Sequence, residues 1–519
     1  MKIKPIYIPV LAGLLIAIGI LIGNFLSFPF KQNLTNSGGN SRDKIDRLIH
    51  FIENEYVENV DTDSILESTV NGIISQLDPH SVYIAKDEFE SVAENMKGNF
   101  VGIGINFYMY NDTLTVIRTI QDGPSEKAGL KAGDRILLAN GDTIFGKKIS
   151  SDSIITKLRG KQNTKLKVKV YRKTENKYYD LTINRDVVPL KSVDIAVKID
   201  EHTGYIKVNR FAETTAKEFH TALRKLVDQN INTLILDLRD NGGGYVEAAA
   251  AIADEFLKQD ELIVVTKDKR GIQDKSYASK NGLFEEGNLF VLINENSASS
   301  SEIVAGAIQD NDRGTIVGKL SYGKGLVQRE MPLGDGSVVR LTVAQYYTPS
   351  GRSIQKPYKN VSAEQYYHHF SKDDKKPYQP NDSLKFTTKK GRIVYGGGGI
   401  YPDVIAEGNN ENESVVFMMN SAISSNFVFE MIDKKRGDFS RISEYEVKEE
   451  LKQNKFYFEE FKKYLTERSI FLPLDKERTT IEKYLKAEFI RQLFSEEDYY
   501  KILLEEDAVI KQVLQISNK

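Results

Sequence analysis

A short, wholly apolar run, Phe290-Val291-Leu292-Ile293, is stopped by Asn294 and leads into a helix-start pattern. No other feature constrains the fold as much. Four β-favouring residues with no polar partner among them read as a buried strand. Ser299, Ser300, Ser301 and Glu302 fit the S-x-x-E start of a helix, and Ile303, Val304 and Ile308 give it one apolar face up to the breaker Asp312-Arg313-Gly314. A further strand is expected from Thr315 to Leu320. Strand, turn, helix and strand in this order belong to an α/β core.

The same pattern stands earlier in the chain. Gly204–Phe211 alternates like a strand, and a helix expected from Thr215 to Gln229 carries Phe219, Leu223 and Leu226 on one face. Leu234 to Leu238 is then a buried strand, followed by Arg239-Asp240-Asn241-Gly242-Gly243-Gly244 and an alanine-rich helix. Glycines in such a loop let backbone approach a ligand closely, to hold a phosphate or to donate an N–H to a developing oxyanion, or they simply make a tight turn.

A serine at a strand-to-helix turn lies among unpaired backbone N–H groups, where the helix dipole favours negative charge. By itself the pattern reads first as a plain capping box. Lys324 adds chemistry, because it lies between Gly323 and Gly325, a setting for close backbone approach rather than for a surface ion pair. Burial disfavours an ammonium ion, so a buried lysine amine can be neutral and accept a serine proton. The six histidines (His50, His80, His202, His220, His368 and His369) all fall outside 290–328, which leaves lysine the nearer base.

The runs SASSSEIVAGAIQDN, YGKGLVQ and LDLRDNGGG, with the segment before them, resemble the carboxyl-terminal processing peptidases, or tail-specific proteases. The resemblance covers about residues 40 to 405 and implies a Ser-Lys dyad on a crotonase-like (ββα) core. It assigns the nucleophile to Ser299, the base to Lys324 and a supporting role to Gln328. It also assigns oxyanion donors to the backbone of Gly243, with Gly244 as the alternative, and of Ser300. Where the family commonly has alanine this chain has Ser300, so three adjacent hydroxyls stand at the site. The Thr348–Ile354 stretch, TPSGRSI, and Ile400–Val404 resemble the family as well. Between them, residues 356–392 depart from it as a polar insertion that includes His368-His369.

Residues 99–185 resemble a PDZ domain through FVGIGINFY and DGPSEKAGLKAGDRILLANGDTI. Gly102, Ile103, Gly104 and Ile105 would then form the loop that receives a terminal carboxylate while an extended peptide adds as a strand.

The flanks are simpler. Lys2 and Lys4 precede an uncharged span, Pro5 to Phe30, long enough to cross a bilayer with the lysines inside. It reads as an uncleaved anchor over residues 1–30, the alternative being a signal peptide. Residues 31–40 are a polar linker, 41–98 a helical region and 186–405 the peptidase core. Residues 406–519 form a charged, periodic helical domain, with dimerisation as one role for its apolar face. A chain of 519 residues has room for two to four domains, and a net charge of −2 provides no field for nucleic acid. The absence of cysteine excludes disulfides and thiolate chemistry.

A phosphate-loop reading of Gly318–Gly325, GKLSYGKG, fails at its last position, where Gly325 cannot bind Mg²⁺. The resemblance, with the apolar N-terminal span, implies a membrane-anchored serine endopeptidase acting outside the cytoplasm, for example in a periplasm. It would act on protein or peptide substrates with apolar C-termini and require no cofactor or metal. The rival is a catalytically silent PDZ scaffold that binds C-terminal tails.

Overall fold

The computed structural model describes residues 17–18, 43–146, 148–359, 361, 366, 382–408, 413–439, 442–453 and 456–517. The expected anchor, apart from residues 17 and 18, lies outside them, as do His368-His369 and most of the insertion. Among the described residues no helix is long and apolar enough to cross a membrane.

The chain divides at Gln76. The first unit contributes the helices Asp43–Glu55 and Thr62–Ile74, the second capped by the Asp61 carboxylate on Ser64 N–H. Several of their apolar side chains, Leu48 and Phe51 among them, are exposed.

In the second unit, the peptidase core is a six-stranded sheet in the order Val193–Lys198, Thr203–Val208, Thr233–Asp237, Asn288–Ile293, Thr315–Gly318, Val404–Ile405. Its first pair is antiparallel and the rest are parallel. Period-two alternation splits the strand side chains between two cores. Val208, Leu234, Leu236, Val291 and Ile293 face the helices Thr215–Val227, Val246–Asp254 and Ser300–Asp310. Tyr205, Ile235, Phe290, Leu292 and Val317 face Val509, Ile510 and Val513 of the helix Ala508–Ser517. The fourth parallel strand ends at Gly318, two residues short of the expected Leu320, because the chain turns there: Gly318 has φ +129°, and a Cβ would lie 2.1 Å from the Ile293 carbonyl oxygen.

A second, antiparallel sheet carries the strand after the lysine loop. Leu326–Pro332 pairs with Val338–Tyr347, which also pairs with Val82–Ile84 and Leu262–Asp268. A strand therefore follows Gly325 where a phosphate loop would run into a helix.

Residues 105–184 form a separate sheet in the order Ile105–Tyr110, Thr113–Thr119, Asp134–Ala139, Lys165–Arg172, Lys177–Asn184 around a core of Leu114, Ile136, Ile154 and Val170. The C-terminal helices enclose their own core, with Phe427, Phe458, Phe461, Leu485 and Phe489 buried. Asp433 joins these helices to the 105–184 sheet through Arg135 (2.6 Å) and Lys173 (3.0 Å).

Candidate active site

The strand Asn288–Ile293 delivers the chain to a turn whose last residue, Ser299, has φ +56° and ψ −112°. That is a left-handed conformation a non-glycine residue adopts only when its surroundings enforce it. The enforcement comes from the neighbouring glycine loop. Ala298 N–H donates to Asn241 O (3.0 Å), Ser301 Oγ to Asn241 O (2.8 Å) and Ser300 Oγ to Gly244 O (2.9 Å). A Cβ at Gly243 would stand 2.8 Å from both Ala298 O and Ser299 Cβ, so this position has room for glycine alone. The three adjacent hydroxyls are thereby told apart. Those of Ser300 and Ser301 belong to fully buried residues and are spent on carbonyls, while Ser299 is only partly buried.

Glu302 does more than complete a helix start. Its fully buried carboxylate accepts from Ser299 N–H (2.8 Å) and Lys324 N–H (2.9 Å) on Oε2, and from Gly323 N–H (2.7 Å) and Ser321 Oγ (2.5 Å) on Oε1. Burial pushes its pKa up and these donors oppose the shift. Because one oxygen holds the amides of both Ser299 and Lys324, those two nitrogens lie no farther apart than the sum of the two distances. The serine turn and the lysine loop are thus one rigid backbone assembly.

The glycines around the lysine serve close approach. A Cβ on Gly323 (φ +86°) would lie 3.1 Å from the Gly398–Gly399 backbone. Gly325 N–H donates to Gln355 Oε1 at 2.9 Å. Burial lowers the Lys324 amine pKa below the usual lysine range, and the Arg340 charge lowers it further. Glu302 and Asp78 act in the opposite direction. The Lys324 Nζ donates to Gln328 Oε1 at 2.9 Å, and the Gln328 amide in turn donates to the His80 carbonyl. No hydrogen bond joins Lys324 Nζ to Ser299 Oγ. Such contacts are often long in a ligand-free site.

The remaining expected residues fall as follows. Gly243 N–H is engaged by Asn241 Oδ1 at 2.9 Å, and Asn241 is itself anchored to Val208 O. The amides of Ser300 and Gly244 bond to no protein acceptor among the described residues. Gly102 closes the strand Asn99–Gly102, Ile103 is buried, Gly104 has φ +69°, and Ile105 opens a strand that among the described residues pairs on one side only, with Thr113–Thr119. That leaves a free sheet edge beside the loop. Asp310 forms a fully buried ion pair with Arg352 at 2.7 Å, while Arg313 binds the carbonyls of Phe256, Phe284 and Gly287. Sequence reasoning missed the reach of Glu302 and the part played by residues 78–81. The S-x-x-E pattern signalled the first; nothing local signalled the second.

A strained serine at a strand-to-helix turn, a partly buried lysine tied to the same carboxylate, and a separate β-sheet module match the arrangement expected of a serine-type peptidase with a PDZ domain. Residues 202–362 match the model of peptidase family S41, 101–183 that of the PDZ domain, and 27–88 that of the activating protease CtpB N-terminal domain. The carboxy-terminal processing protease CtpB of Bacillus subtilis (strain 168) is 35% identical over 317 residues, which are 60% of this chain and 65% of that one. The carboxy-terminal-processing protease of Bartonella bacilliformis is 34% identical over 344 residues, 65% of this chain and 78% of that one. Among solved structures, the photosystem II D1 C-terminal processing protease aligns at 26% identity and a TM-score of 0.34, over 60% of this chain and 84% of that one. The chain belongs to the carboxy-terminal processing proteases of peptidase family S41.

Proposed function

We propose that this chain is a Ser-Lys endopeptidase, anchored in a membrane by its N-terminal segment and acting outside the cytoplasm on proteins chosen by their C-termini. The observation that carries the reading is the single Glu302 oxygen that holds the backbone of both Ser299 and Lys324. In this mechanism Ser299 Oγ attacks the scissile carbonyl and neutral Lys324 takes its proton, later returning it to the leaving amine. Gln328 accepts one lysine N–H, which turns the amine lone pair away from itself. The Ser300 amide and the Gly243-Gly244 loop stabilise the oxyanion, with Gly244 N–H the unspent donor of that loop as the chain stands. A crotonase-like core is the fold reading that accompanies this chemistry.

The PDZ module would receive the substrate's terminal carboxylate at Gly102–Ile105, with the peptide added along the free edge of Ile105–Tyr110. Lys2, Lys4 and the uncharged Pro5–Phe30 span support the anchor. Exposed apolar side chains on the N-terminal helices, Leu48 and Phe51 among them, support a homodimer. The silent-scaffold alternative draws on one observation, that Lys324 Nζ rests on Gln328 and not on Ser299.

The test is full-length protein incubated with an unstructured protein ending in apolar residues, beside Ser299→Ala and Lys324→Ala. Cleavage lost in both variants is the expected result. Cleavage that survives in Ser299→Ala would move the nucleophile, and binding of tails without cleavage by any version would favour the scaffold.

A further inference from the structure

Gln328 bridges two groups of opposite demand. Its Oε1 accepts from Lys324 Nζ, and its Nε2 donates to a backbone carbonyl, that of His80. A carbonyl can only accept, so it discriminates between the two ends of an amide that are otherwise nearly the same shape. The His80 carbonyl therefore decides which end of Gln328 meets the lysine. His80 lies 248 residues away in sequence, in the turn 78–81 that precedes the PDZ domain.

That turn is built around one carboxylate. Asp78 Oδ1 accepts from His80 N–H (2.9 Å), Ser81 N–H (2.9 Å) and Thr342 Oγ1 (3.0 Å), and Oδ2 accepts from Ser81 Oγ (2.6 Å). Thr342 is the strand residue directly opposite Gln328 in the pairing of Leu326–Pro332 with Val338–Tyr347. Asp78 thus ties the turn to the strand pair that carries Gln328. The His80 ring is otherwise occupied. Its Nε2 pairs with Tyr366 Oη at 2.7 Å, and burial, then the Lys324 charge, pushes its pKa down to about 4, too low for an effective base.

We propose that Asp78 is a positioning residue of the peptidase site, holding the His80 carbonyl where only the donor end of the Gln328 amide can meet it and so keeping the acceptor end on Lys324. This rests on the Ser-Lys reading and adds to it. Without the Asp78 anchor the amide can turn over, its NH₂ would face the lysine amine, and the lone pair of that amine would be drawn from the serine. Asp78 also has an electrostatic role. The charged groups facing Lys324 are Glu302 on the nucleophile helix, Asp78 on the turn and Arg340 on the adjacent strand, with His80 neutral; both carboxylates favour the ammonium form. Removing the Asp78 charge lowers the lysine pKa, and since activity needs the neutral amine, the acid limb of the pH profile moves to lower pH.

The experiment measures kcat, KM and their pH dependence in full-length Asp78→Asn, Gln328→Ala and the double variant, with Lys324→Ala as reference. Asp78→Asn is expected to lower plateau kcat roughly 10- to 100-fold with little change in KM, the scale of a misplaced catalytic group. Its acid limb moves to lower pH, and in the Gln328→Ala background it costs plateau kcat nothing further. Ser81→Ala, which loosens the same turn without changing charge, lowers kcat less, leaves the limb in place, and serves if Asp78→Asn does not fold. A folded Asp78→Asn with the parent kcat and limb overturns the inference, as do losses that multiply in the double variant. If Lys324→Ala still cleaves, the Ser-Lys reading itself fails; if Lys324→Ala is dead while Asp78→Asn matches the parent, only the role of Asp78 falls.

Discussion

Two neighbouring units of the core share one local plan and do opposite jobs. The strands Thr233–Asp237 and Asn288–Ile293 lie side by side, parallel and in register, and each runs through a short loop into a helix. The first loop presents glycine backbone. The second presents a serine hydroxyl. The first loop can approach because Gly243 has no side chain, and the second is held in a left-handed conformation because Ser300 and Ser301 clasp the carbonyls of the first. On the proposed mechanism, similar strand–loop–helix geometry would serve as an oxyanion cradle in one place and a nucleophile turn in the other, and the difference would come from which residues fill the loop.

Substitutions can break that comparison at either partner. The largest effect is expected from Ser299→Gly, which removes the hydroxyl and the strain together. Peptidase activity should vanish while thermal denaturation shows a gain of about 1 kcal/mol, since glycine adopts φ +56° freely. A loss of stability would mean the turn is not strained. Next is Gly243→Ala. The new methyl would meet Ser299 Cβ at 2.8 Å in a backbone of φ +99°, and initial-rate assays should register a loss of about 100-fold or more while the fold persists. Smallest is Ser300→Ala. It gives up one hydroxyl-to-carbonyl bond, costs about 1 kcal/mol by chemical denaturation and leaves most activity, because the backbone N–H that would serve the oxyanion remains.

The same contrast explains what sequence could and could not reveal. Buried strands such as Leu234–Asp237 and Leu289–Ile293 announce themselves by apolar runs, and the glycine and serine loops by the residues that end them, because those signals lie within a few neighbours. The helix expected from Thr215 to Gln229 ends at Val227, with Asp228 taking the C-cap position. Partnerships between distant segments leave no such trace. Glu302 looked like a local cap, yet two of its four donors are the amides of Gly323 and Lys324. Asp310 lies close to Arg313 in sequence, yet its buried ion pair is with Arg352, 42 residues on. The His80 side chain gives no hint in sequence that its carbonyl meets Gln328. Buried polar groups must find partners somewhere, but sequence pattern does not say where.

The most direct test of the central claim is covalent labelling of the full-length protein with a serine-directed phosphonate, the modified residue being located by mass spectrometry across a pH series. A single adduct on Ser299 is expected, formed faster as pH rises through the lysine pKa, and abolished in Lys324→Ala. An adduct on Ser300 or Ser301, or labelling of Ser299 that proceeds equally without Lys324, would contradict the claim.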